Sequence, residues 1–79
     1  MSWSVTWDVI ANADVLRMNW RVAGRACAAL AAFAERGEGT PEADTVKGHY
    51  KLRAPGAVVC SRVDHAMRTI FVQRVFATK

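Results

Sequence analysis

The stretch Lys47-Gly48-His49-Tyr50-Lys51-Leu52-Arg53 constrains the fold most, because cationic side chains alternate along it with Tyr50 and Leu52. Successive side chains of a strand point to opposite faces. The pattern therefore predicts a strand over 47–53 with Lys47, His49, Lys51 and Arg53 on one basic face and Tyr50 and Leu52 turned to a core. Ala54-Pro55-Gly56 follows as a turn, since proline presets φ and glycine accepts positive φ. Two more strands are predicted, over 57–63 and 68–76, joined by Asp64-His65-Ala66-Met67. Both are apolar on both faces over part of their length (Val58, Val59, Ile70, Phe71, Val72), the pattern of inner strands in a covered sheet.

Upstream, Trp3, Val5, Trp7 and Val9 alternate with Ser2, Ser4, Thr6 and Asp8, which predicts a half-buried first strand with two tryptophans as core anchors. A short, weakly patterned helix is expected from Asn12 or Asp14 to about Met18. The clearest helix runs from Arg21 to Arg36, with Val22, Ala23, Ala26, Cys27, Leu30, Phe33 and Ala34 at three- and four-residue spacing. Ala28, Ala29, Ala31 and Ala32 leave its other side small and apolar, a surface that a second helix or a partner chain can approach closely. Gly37 and Gly39 end the helix, and residues 37–46 read as a polar connector. The expected architecture is α+β, in the order β-α-α-β-β-β. Two helices lie on one face of an antiparallel four-stranded sheet, and the other face is free and basic.

A chain of 79 residues is expected to form one domain spanning 1–79. Its net charge of +4 is unevenly divided. Residues 1–44 hold four arginines against six acids, a net of −2, whereas residues 45–79 hold seven cations against Asp64 alone, a net of +6. Such asymmetry points to an acidic partner for the C-terminal part, either nucleic acid or an acidic protein segment. Cys27 and Cys60 fit no metal or redox spacing and read as buried thiols, consistent with a reducing, cytoplasmic setting; no metal or cofactor is expected. The longest apolar run, Ala26 to Ala34, is nine residues, well short of the roughly 20 that cross a bilayer, so no membrane association is expected.

These elements and residues resemble the RelE/ParE superfamily, small toxins of bacterial type II toxin–antitoxin systems. Met1 to Trp7 is similar to the family's opening strand, and Val22 to Gly37 to its second helix. Val46 to Arg53 resembles the lysine–glycine … tyrosine-arginine-leucine-arginine run that begins its C-terminal sheet. Val72 to Val75 resembles the last strand. The resemblance implies a toxin that enters the ribosomal A site and cuts mRNA by attack of a ribose 2′-OH on the adjacent phosphate. That chemistry needs a proton acceptor, cations for the phosphorane and a proton for the leaving oxygen. Lys51 and Arg53 match the family's basic positions. His49 lies on the same predicted face, and an imidazole can accept a proton near neutral pH. Lys47, Arg62, Arg74 and Lys79 are the further candidates for holding phosphate or RNA.

Two departures from the family pattern stand out. Where the family has glycine, x, tyrosine, arginine, this chain has Gly56-Ala57-Val58-Val59, without the phosphate-clamping arginine. The end reads Val75-Phe76-Ala77-Thr78-Lys79, without a histidine or tyrosine tail. The resemblance also implies a cognate acidic antitoxin as partner, with the ribosome and mRNA as targets. The departures leave two alternatives open: a non-catalytic inhibitor of DNA gyrase, as in the ParE branch, and a disarmed member that keeps the fold as a binding module.

Overall fold

A computed structural model of the chain describes residues 3–78; Lys79 lies outside them. Strand β1 (Ser4–Trp7) leads into helix α1 (Val9–Arg17) and helix α2 (Trp20–Arg36). Strands β2 (Glu42–Ala43), β3 (His49–Ala54), β4 (Ala57–Asp64) and β5 (Thr69–Ala77) follow. The sheet has the order β1-β5-β4-β3-β2. The α+β class, the two helices and the C-terminal meander agree with expectation.

Two features of the sheet correct it. The sheet has five strands rather than four, because two residues of the expected connector, Glu42 and Ala43, pair with Lys51 and Tyr50. It is also mixed, because β1 runs parallel to β5, with Val5 opposite Ile70. Hairpins between β3, β4 and β5 use the inner edges and leave the outer edge of β5 open. The chain leaving β1 crosses through two helices before it re-enters the sheet, so a parallel match is available to it.

Alternation places Leu52, Val59, Ile70 and Val72 under α2, where they are buried with Ala26, Leu30 and Ala34. Trp3, Val5 and Trp7 pack against this cluster half-buried, as the first-strand pattern predicts. Val9 does not join them. The strand ends at Trp7, and Asp8 caps α1 by accepting from the Ile10 N–H at 2.9 Å, so Val9 opens the helix with its side chain exposed. Asn19 caps α2 in the same way through the Arg21 N–H, and Gly37 closes it at φ 67°, a left-handed conformation suited to glycine. Cys27 is exposed rather than buried, because α1 packs chiefly beside β5 and leaves that flank of α2 open. Among the described residues, no helix is long and apolar enough to cross a membrane.

Helix α1 finishes the edge that β1 leaves uncovered. β1 pairs with β5 only as far as Val72, whose carbonyl accepts from the Asp8 N–H at 2.9 Å. Beyond that point the Asp14 carboxylate takes the Val75 N–H at 3.0 Å, so a side chain replaces a strand in satisfying the backbone.

Candidate functional site

The face of the sheet opposite α2 carries the cationic residues in rows set by strand register. One row runs His49, Arg62, Phe71, Thr6 across β3, β4, β5 and β1. The next runs Glu42, Lys51, Cys60, Arg74 across β2 to β5. A third holds Arg53, Val58 and Phe76. Neighbouring strands lie about 4.8 Å apart, so each row spans on the order of 10–15 Å.

A β-bulge decides which side of the sheet Arg74 occupies. Cys60 is opposite Arg74 and Ser61 is opposite Val72, so Gln73 is the extra residue on β5. Strict alternation from Phe71 would have sent Arg74 into the core. The bulge resets the parity, leaving Val72 and Val75 both buried and Arg74 on the open face beside Phe76.

The candidate residues differ in how they are held. Arg53 is tied to Glu42, with Nε 2.9 Å from one carboxylate oxygen and a terminal nitrogen 3.4 Å from the other. This pairing holds the Glu42 carboxyl below the usual range. Arg74 is tied to Asp14 at 2.8 Å and also lies over the Phe76 ring, 4.9 Å from its centroid. The Arg74 guanidinium, helped by the Val75 N–H, holds the Asp14 carboxyl below the usual range. Arg62 sits 4.4 Å from the Phe71 centroid and forms no ion pair among the described residues. Lys51 lies half-buried between Glu42 and Cys60 in its row, two residues from His49 on the same face. Burial pushes the Cys60 thiol pKa up, against the opposing pull of Lys51 and Arg74.

The structure thus brings His49, Lys51, Arg53, Arg62 and Arg74 onto one face. Lys47 is placed elsewhere: it is exposed in the turn before β3, because that strand begins at His49 rather than at residue 47. Sequence reasoning missed Glu42 and Asp14, the two acids that occupy Arg53 and Arg74. The sequence signals are slight: Glu42 is one acid in the polar connector, and Asp14 is legible only as a candidate start of the weakly patterned first helix. Register places Phe71 and Phe76 on the open face as well, across from Arg62 and Val58.

A separate concavity lies on the helix side of the sheet. It has a volume of about 360 Å³ and is lined by Trp3, Phe33, Pro41, Tyr50, Val63 and His65, with His65 edge-on to Trp3 at 5.5 Å. It holds no cationic cluster. Among the described residues, no group of three or more His, Cys, Asp or Glu side chains is placed to hold a metal ion.

No protein-family model and no curated protein matches the chain. Among solved structures, the crystal structure of the toxin–antitoxin complex RelBE2 from Mycobacterium tuberculosis contains a similar chain, with a TM-score of 0.74 at 21% sequence identity. The match covers 99% of this chain and 100% of that one. The resemblance to the RelE/ParE superfamily therefore holds at the level of the fold, and the protein has a RelE-like α+β structure.

Proposed function

We propose that the protein is the toxin of a type II toxin–antitoxin pair, acting in the cytoplasm as one domain that cuts mRNA on the ribosome through its open sheet face. The observation that carries this reading is the placement of Lys51 beside His49 and Arg62 on an uncovered basic face of a RelE-like fold. In this reading the 2′-OH gives its proton to His49, and its oxygen attacks the adjacent phosphorus. Lys51 stabilises the charge that gathers on the phosphorane oxygens, the P–O5′ bond breaks, and a cyclic phosphate remains. The departing 5′ oxygen takes a proton from water. Arg62 holds a flanking phosphate, while Arg53 and Arg74 become available once their carboxylates are displaced. The partner is an acidic antitoxin that neutralises the +6 half and covers exposed apolar side chains such as Trp20 and Leu16 in one binding event.

The test is a cell-free translation reaction with purified protein, followed by mapping of the 5′ ends on the message. Cleavage within codons, only when ribosomes are present and lost in Lys51→Ala, is the expected result. An intact message in a reaction that contains the folded protein would overturn the ribonuclease.

A further inference from the structure

On the open face, β1 and β5 enclose a recess of about 390 Å³ lined by Thr6, Trp7, Asp8, Arg62, Phe71 and Gln73. That volume is within the range of small-ligand sites, about 300–1,000 Å³. We propose that this recess is a nucleobase subsite, which takes one unstacked base of a single-stranded RNA whose phosphates lie along the basic rows. The inference rests on the nucleic-acid reading of the open face and adds to it a place where a base, rather than a phosphate, is bound.

Three observations select a base. Phe71 is half-buried and faces the recess, and its guanidinium neighbour Arg62 is not committed to any carboxylate among the described residues. Arg62 can therefore stay stacked between the ring and a base, or turn to a phosphate and leave the ring to the base; RNA recognition uses both arrangements. Asp8 is on the wall, and its carboxylate disfavours a phosphate inside while tolerating a neutral base. Gln73, the bulged residue, also lines the recess, and a glutamine side chain offers both a donor and an acceptor for a base edge. Arg62 lies across from His49 and diagonal to Lys51, so a strand of RNA can pass from the recess to those residues without leaving the face.

The test compares two dye-labelled single-stranded 12-mers at low salt: a mixed-sequence RNA and a sugar-phosphate chain of equal length and charge lacking every base. Wild-type protein is expected to bind the RNA roughly 5- to 150-fold more tightly, the range that stacking of one base supplies. Phe71→Leu should remove most of that difference while leaving affinity for the base-free chain unchanged, and an unchanged circular dichroism spectrum shows that the variant is folded. Phe71→Trp should restore it. Equal affinity of the wild type for both chains would overturn the subsite and leave the basic face standing. Binding of neither chain would overturn the nucleic-acid reading and the subsite with it.

Discussion

The Asp14 carboxylate grips Arg74 at 2.8 Å across 60 residues of sequence and takes the Val75 N–H with the same oxygen at 3.0 Å. One acid on α1 thereby fixes the position of a cation on the open face and seals the edge of β5 beyond the end of β1. A structural bond and a functional candidate share one carboxylate.

Asp14 makes stability sensitive to acid. Its pKa in the folded state is below the ordinary 3.8, so its contribution is present above that value and is lost as pH falls through the folded-state pKa. Thermal midpoints of the wild type should therefore fall below about pH 4 more steeply than those of Asp14→Asn. At neutral pH, Asp14→Asn should melt several degrees lower. Melting curves across pH 2.5–7 check both, and parallel curves would refute the assignment.

Glu42→Gln should free Arg53 for a phosphate. The ion pair is exposed on both sides, so its removal should shift the melting midpoint by no more than about two degrees. Binding of single-stranded RNA should tighten at low salt. The slope of log affinity against log salt should steepen by about 0.7, the signature of one added phosphate contact to a single strand. Titrations at several salt concentrations measure it.

Lys51→Ala should lower ribosome-dependent cleavage by about 10²–10³-fold, the usual consequence of removing one charge from a transition-state clamp. Its side chain is only half-buried and lies outside the apolar core, so the circular dichroism spectrum should be unchanged. Single-turnover cleavage assays compare the two proteins.

Gly37→Ala should cost about 1 kcal/mol, which in a chain of this size lowers the melting midpoint by roughly 4–8 °C. An added Cβ meets nothing within 4 Å, so the cost comes from φ 67° alone. Gly24→Ala, inside α2 and equally uncrowded, should raise the midpoint instead.

Much of the fold could be read from the residues because its signals are local. The alternation of His49, Tyr50, Lys51, Leu52 and Arg53 assigns β3 and its two faces, and Pro55-Gly56 marks the turn that follows. The helical spacing of Ala23, Ala26, Leu30 and Ala34 names the buried stripe of α2 correctly. What failed depended on partners brought from elsewhere. Glu42 and Ala43 form a strand only because β3 presents a free edge, and two residues carry no periodicity to detect. Val9 and Cys27 are apolar and yet exposed, because the position of α1 beside β5 leaves both without a covering element.

For the candidate site, the sequence by itself determined that His49, Lys51 and Arg53 share a face, because side-chain parity along a regular strand is a property of the backbone. It could not determine the side of Arg74, because the bulge at Gln73 depends on how β5 aligns with β4. Nor could it show that Glu42 holds Arg53 and Asp14 holds Arg74, since those acids lie 11 and 60 residues away and meet the arginines only once the sheet and α1 are assembled. Only the tertiary structure decides which cations are engaged and which are available, because charge pairing acts through distance in space.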